Sequence, residues 1–396
     1  MEDLIQNLKL FKPDRDFIER NESVRTLVLR VYRKSQSNAS VNTYVANLRK
    51  FFAWLGMEPD EAKNAEINWE NKINAFIDEC VSKSLSPKRI HSLVSAVKRW
   101  GVVNEVNIAW GKVELPGVWK TTEERIPTKE ELREIMKVGD LTDKIMVACL
   151  VSSGLRVGAL IRLQLKDVDF DYECPLVKVS PRASKARQGY LTFFSPEAKS
   201  LIKSYLEDRK NKGEQITGES FLLVRERPLG LPISVPAAEE RWLNLLRRAG
   251  KKVKKGRRHI VRLHSLRKYF KSWCSLSGVQ ESVTELFMGH RHGISQVYFL
   301  PDVEAASSPE VVSRLLTEYK KALPALTIFS EEEKIKELEG KVEEQKRILE
   351  EEKRKHEEEK RRLEEERKFL EERVKRLEAL VDEVIRARRE IILKAN

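Results

Sequence analysis

The sequence predicts a mainly α-helical protein of the α+β class. It reads as a helical N-terminal domain, a larger domain of helices around a small β-hairpin, and a long C-terminal helix of coiled-coil type. Three observations carry this. From Ser23 to Trp100 apolar residues recur at helical spacing with few glycines. Short runs with strand character, Leu176 to Val179 and Gly189 to Phe194, are separated by the polar turn Ser180 to Arg187. From Ile335 onward, apolar residues return every seven positions.

The chain of 396 residues is long enough for two or three domains, and 41% hydrophobic content can fill their cores. Lys and Arg number 75 against 62 Asp and Glu, a formal net charge of +13 that suits a polyanionic partner. No run approaches the eighteen apolar residues of a membrane span, and Met1 to Arg15 lacks the pattern of a signal peptide, so neither insertion nor secretion is expected. Cys80, Cys149, Cys174 and Cys274 form no CxxC pair, which argues against a disulfide framework or a zinc site and for a reducing cytoplasmic compartment.

Taken in order, residues 1–20 read as a polar N-terminal arm or a first partial helix. Residues 21–112 read as a four-helix domain. Val24, Leu27, Val28 and Val31 mark its first helix, and Tyr44, Leu48, Phe51, Phe52 and Leu55 mark a second that starts at Asn38-Ala39-Ser40. A third covers Asn71 to Ser82. The fourth starts at Pro87, where proline suits a first helical position, and its outer face carries Lys88, Arg89, His91, Lys98 and Arg99. Such a face is either a solvated surface or a grip on DNA.

Residues 113–127, with Pro116, Gly117 and Pro127, form a linker. The second domain, residues 128–329, opens with Thr128 and Glu131 at the spacing of a capping box. An apolar helix from Asp140 to Ser153 ends in Gly154-Leu155-Arg156, a turn that hands an arginine to the next helix start, where phosphate is already favoured. Lys185 is expected at the hairpin tip, and helices follow over 196–210 and 235–249. The run Lys251, Lys252, Lys254, Lys255, Arg257 and Arg258 precedes His264-Ser265-Leu266-Arg267, and a basic run beside a candidate site points to nucleic acid. After Arg267 a helical run of about twenty residues leads to Gly289, His290 and Tyr298.

Residues 330–396 read as a charged helix. Ile335, Val342, Leu349, His356, Leu363, Leu370, Leu377, Val384 and Ile391 keep the seven-residue interval, with self-association expected mainly over Phe369 to Leu393.

Arg156, Lys185, His264, Arg267, His290 and Tyr298 are the candidate chemistry. Two arginines can neutralise a pentacovalent phosphorane through forked hydrogen bonds. A lysine can protonate a departing 5′ oxygen, the histidines can hold a non-bridging oxygen or take a proton, and a tyrosine can attack. No metal ligand set and no cofactor motif accompanies them. Tyr319 competes with Tyr298 for the nucleophile's role, and Lys178 with Lys185. Singly, each residue has an ordinary structural explanation; the order of all six is what carries weight.

In this order, and with Leu155-Arg156-Val157, His264-Ser265-Leu266-Arg267 and Met288-Gly289-His290 as local motifs, the chain resembles the tyrosine recombinase, or phage integrase, family, its archaeal members above all. The resemblance spans most of residues 20–327. It implies that residues 21–112 are a core-binding DNA-binding domain and 128–329 the catalytic domain. It also implies cleavage of double-stranded DNA to a 3′-phosphotyrosyl intermediate, rejoining in a four-subunit synapse, no cofactor, and action on the nucleoid. A type IB topoisomerase shares this chemistry, and a non-catalytic architectural protein could share the fold. In two places the chain departs from the family pattern. Ala159 stands where many members carry an acidic residue, and His290 and Tyr298 are eight apart where nine is commoner.

Overall fold

The computed structural model describes residues 5–6, 8–118, 124–184, 188–252, 254–255, 258–290, 308–329 and 331–394. Lys185, Arg257 and Tyr298 lie outside the described residues. The chain divides into two compact units, Met1–Glu123 and Glu124–Asn396.

The first unit contains α1 (Lys12–Arg20), α2 (Glu22–Ser35), α3 (Asn38–Leu55), α4 (Pro59–Asn64), α5 (Trp69–Ser82) and α6 (Pro87–Val103). Residues 12–20 form a helix, the second of the two readings of this stretch, because Phe17 and Ile18 point into the core that Ile5 and Leu8 also join. Buried Asp14 then pairs with Arg49 of α3 at 2.8 Å. The start of α3 is capped one residue earlier than the sequence suggested: the Ser37 hydroxyl accepts from the Ser40 amide at 3.3 Å. At the centre, the Trp100 ring meets Phe52 edge-on at 4.8 Å, and its indole N–H donates to the Ser23 hydroxyl at 3.1 Å. On α6, Lys88 and Lys98 are exposed, while Arg89 and Arg99 are partly covered. The Lys98 ammonium stands over the Trp110 ring, 5.3 Å from its centroid.

The second unit is built around α8 (Leu141–Ser153), buried almost throughout from Ile145 to Ser153. Before it comes α7 (Lys129–Lys137), whose capping box forms as the spacing predicts: Glu131 N–H donates to Thr128 Oγ1 at 3.2 Å, and Thr128 N–H to Glu131 Oε2 at 2.9 Å. After α8 come the short α9 (Val157–Leu160) and an antiparallel sheet of β1 (Val168–Asp169), β2 (Leu176–Val179) and β3 (Tyr190–Phe193), in that spatial order. The predicted hairpin is therefore present, with Val177 opposite Thr192 and Lys178 opposite Leu191. Next are α10 (Pro196–Asn211) and α11 (Val235–Arg248), which match the sequence reading within a residue. The basic run, to which no element was assigned from sequence, contains a pair of short strands. β4 (Lys254–Lys255) pairs with β5 (Arg258–His259) as a second, two-stranded hairpin.

The helical run expected after Arg267 is two helices, α12 (His264–Leu276) and α13 (Glu281–Phe287), broken at Ser277 and Gly278, where φ is +75°. The globular part closes with α14 (Pro309–Leu326). The tail is one helix of 64 residues, α15 (Glu331–Lys394).

Gly154, at the end of α8, has φ of +62°, and a Cβ there would stand 2.3 Å from Phe270 Cδ1. Both the left-handed backbone and the lack of space demand glycine. Gly154→Ala is therefore expected to lower unfolding free energy by about 2–5 kcal/mol, combining backbone strain with overpacking. Urea denaturation measures it, and a loss below about 1 kcal/mol would contradict this packing.

Candidate phosphate-binding site

Four of the six residues selected from the sequence lie among the described residues, and the fold gathers them from three places. Arg156 caps the N-terminus of α9, immediately after the Gly154 turn. His264 is the first residue of α12, and Arg267 lies one turn later on the same helix. His290 follows the Gly289 turn after α13.

Arg267 is the fixed centre. Its guanidinium is buried, with one Nη donating to the Gly154 carbonyl and the other to the Met288 carbonyl at 2.6 Å and to His290 Nε2 at 2.8 Å. Burial, and then the nearby charge of Arg156, lower its pKa to about 10, so it remains a cation at neutral pH. Arg156 is close enough for its charge also to bear on His290 and on Tyr190. Burial raises the Tyr190 pKa, against the opposing pull of the Arg267 and Arg156 charges. Gly289, at φ +60°, leaves room for the Tyr190 ring: a Cβ there would come within 2.5 Å of it. The Gly154 and Gly289 turns thus shape the two walls around Arg267.

His290 is held from behind. Its Nδ1 hydrogen-bonds the carboxylate of Glu285, which is buried on α13 and whose other oxygen takes a hydrogen bond from the Lys271 ammonium at 2.5 Å. With the Nδ1 proton on Glu285, Nε2 is the nitrogen that faces Arg267. Burial lowers the His290 pKa, and Arg267 and Arg156 lower it further, while the Glu285 carboxylate raises it. His264 is exposed, and its pKa is lowered first by partial desolvation and then by the charges of Arg267, Lys268 and Arg262, against an opposing pull from Glu124.

Glu124 itself, at the near end of the linker, is clamped to α12. Its carboxylate pairs with Arg262 at 2.6 Å and with Lys268, and the Ser265 hydroxyl donates to it at 3.4 Å. Burial alone would raise its pKa, but the Lys268 and Arg262 hydrogen bonds outweigh this and hold it low.

Glu285, Tyr190 and Glu124 were not singled out from the sequence. Glu285 had a weak signal, since it lies five residues before His290 and only the helix end and glycine turn bring it back. The other two had none. Ala159, at the position where an acidic residue was expected, is buried in the apolar core. The carboxylates supporting the site come instead from α13 and the linker.

Tyr319 is removed as a candidate nucleophile. It is fully buried, its hydroxyl donates to the Ser152 carbonyl at 2.9 Å, and burial raises its pKa well above the usual value. Lys178 lies within β2, opposite Leu191. Of the basic run, Lys251 is engaged with Glu134 at 2.7 Å, whereas Lys252 is exposed. Among the described residues no cluster of metal-ligating side chains occurs, and no helix is long and apolar enough to cross a membrane.

Residues 125–299 match the model of the phage integrase family. The chain is 23% identical over 300 residues to the tyrosine recombinase XerA of Saccharolobus solfataricus, covering 72% of this chain and 87% of that protein. It is 24% identical over 287 residues to XerA of Pyrococcus horikoshii, covering 71% and 91%. In fold it is similar to XerH recombinase solved with its difH substrate in a pre-cleavage complex, at 16% identity, with 77% and 91% of the chains covered and a TM-score of 0.50. Over residues 125–299, the stretch that carries Arg156, His264, Arg267 and His290, the chain matches the phage integrase family model, and through most of its length it is similar to tyrosine recombinases.

Proposed function

We propose that the protein is a site-specific DNA recombinase that breaks and rejoins strands through a 3′-phosphotyrosyl intermediate. The observation that carries this is the buried Arg267 guanidinium, fixed by the Gly154 and Met288 carbonyls and by His290, with the charge of Arg156 nearby, a cationic arrangement that suits a phosphate.

In this reading the Tyr298 hydroxyl attacks the scissile phosphorus, forming the new P–O bond while the bond to the 5′ oxygen breaks. Arg156 and Arg267 stabilise the charge on the non-bridging oxygens of the phosphorane. Lys185 gives a proton to the departing 5′ oxygen, which leaves as a hydroxyl. His264 takes the tyrosine proton or holds a non-bridging oxygen, and His290 holds the other. Attack by a partner strand's 5′ hydroxyl reverses these steps, so the energy of the diester is retained and no nucleotide cofactor is used. Lys88, Arg89, Lys98 and Arg99 on α6, and Lys251, Lys252, Lys254, Lys255, Arg257 and Arg258 around the second hairpin, contact DNA phosphates. Four subunits form the recombining synapse, in the cytoplasm and on the nucleoid. Among the solved neighbours of similar fold, the Tn1549 transposon integrase is described by its titles as in complex with DNA.

A nicked suicide duplex carrying the attachment site tests the proposal. The expected product is a covalent protein–DNA adduct on a denaturing gel, with a free 5′ hydroxyl on the released strand. Relaxation of supercoiled plasmids without site preference would favour a topoisomerase, and sequence-specific binding without an adduct would favour an architectural protein.

Glu285 is a positioning residue in this reading, since it acts on the phosphate only through His290. Its carboxylate raises the His290 pKa, so in Glu285→Gln the imidazole holds its proton less tightly and the alkaline limb of the pH–cleavage profile moves to lower pH. Single-turnover cleavage is expected to fall about tenfold to a hundredfold, as for other partners that orient an imidazole, with partial recovery in Glu285→Asp. An unchanged rate and pH profile would remove Glu285 from this role.

A further inference from the structure

The long helix α15 carries an apolar stripe that no other described residue covers. Leu370, Val374, Leu377, Val381 and Val384 alternate at spacings of four and three, and each is more than half exposed. One seam position stays apolar at seven-residue intervals from Leu363 to Ile391, whereas the other is apolar only at Val374 and Val381, between Arg367 and Arg388, which confines the two-sided seam to about residues 370–384. Leucines occupy one seam position (Leu363, Leu370, Leu377) and β-branched valines the other (Val374, Val381). β-Branched residues at the first seam position with leucine at the second favour two parallel strands.

The flanking charges choose the orientation. In a parallel pair, a residue just before one seam position faces the residue five places later on the partner helix, which sets Arg373 against Glu378 twice per dimer. In an antiparallel pair, like positions face each other, so Glu371 and Glu378 would meet glutamates. Leu380 and Ile385, both exposed, flank the next layer and widen its apolar contact. Upstream the seam fails, because Lys353, Lys360 and Arg367 take the valine position, while Glu359 and Glu366 would face Glu364 and Glu371.

We propose that residues 370–385 of α15 pair, parallel and in register, with the same segment of a second copy of this chain, in the absence of DNA. Orientation has a consequence for the catalytic units. At about 1.5 Å per residue, roughly 70 Å of helix separates Glu331 from the centre of this segment. Antiparallel pairing would hold the two catalytic domains on the order of 140 Å apart, whereas parallel pairing leaves both at the same end of the rod. Under the recombinase reading, on which this consequence alone rests, subunits then arrive at the two half-sites already paired.

The test uses the full-length chain without DNA, so that its failure is separate from any failure of the recombinase reading. Sedimentation is expected to give twice the 46.0 kDa of one chain. Val374→Cys and Val381→Cys, made separately, are each expected to form a disulfide-linked dimer under mild oxidation, while the outward-facing Glu372→Cys does not; the four native cysteines are buried. An antiparallel pair centred on either valine would cross-link at that one only. Arg373→Glu is expected to raise the dissociation constant about tenfold, and Arg373→Glu with Glu378→Arg to restore it, as cross-strand charge pairs require. A monomeric or trimeric wild type, or cross-linking at only one valine, overturns the proposal.

Discussion

Arg267→Lys is expected to leave the protein folded and DNA binding within about tenfold of wild type, while single-turnover cleavage falls at least about a hundredfold. Lysine keeps the charge but loses the fork. In the native site the fork spans the Gly154 carbonyl, the Met288 carbonyl and His290, and its rigidity fixes the face turned to a phosphate. A single ammonium cannot satisfy both carbonyls and also meet a phosphate oxygen. Arg267→Ala goes further. Two buried carbonyls lose their donor, at a cost of about 1–3 kcal/mol each, partly offset by relief of repulsion from Arg156. Cleavage is expected to drop at least about a thousandfold, the scale of losing an arginine that stabilises a phosphoryl transition state. Stopped single-turnover reactions separate the two variants, and an Arg267→Lys enzyme that cleaves within about threefold of wild type would refute the forked contact.

Tyr298→Phe is expected to abolish the covalent adduct altogether while preserving DNA binding, because only the attacking oxygen is removed. Tyr319→Phe is its control and has the opposite signature. That hydroxyl donates to the Ser152 carbonyl inside the core, so its loss leaves a buried acceptor unpaired and costs about 1–3 kcal/mol of stability. Adduct formation should persist at temperatures where the variant remains folded. If Tyr319→Phe lost the adduct with stability intact and Tyr298→Phe kept it, the nucleophile would be misassigned.

Much of this architecture was legible in the sequence, for identifiable reasons. Helix starts were readable where side chains cap backbone donors, as at Thr128 with Glu131, because capping is local chemistry. The β2–β3 hairpin was readable from alternation in runs too short for helices. Arg156, His264, Arg267 and His290 could be chosen because their residue types and order restrict the chemistry. What escaped depended on long-range packing. For the N-terminal stretch the sequence left arm and partial helix open, because Phe17 and Ile18 settle it only by packing into the core of the first unit. The basic hairpin of β4 and β5 has no β-favouring composition. The break at Gly278 turned one expected helix into two, and that break lets Glu285 reach back to His290. Ala159 drew attention to a missing carboxylate, but nothing local could say that a glutamate on another helix supports the site.

The central claim is that Tyr298 becomes linked to a DNA 3′ phosphate, and mass spectrometry of the DNA-bound peptide tests it most directly. Trypsin separates the candidates, since cleavage after Arg291 and Arg314 leaves Tyr298 as the sole tyrosine of its peptide, while Tyr319 falls in the peptide from Leu315 to Lys320. The account predicts the nucleotide on the His292 to Arg314 peptide, at Tyr298. A nucleotide on the peptide that contains Tyr319, or on any other residue, would contradict it.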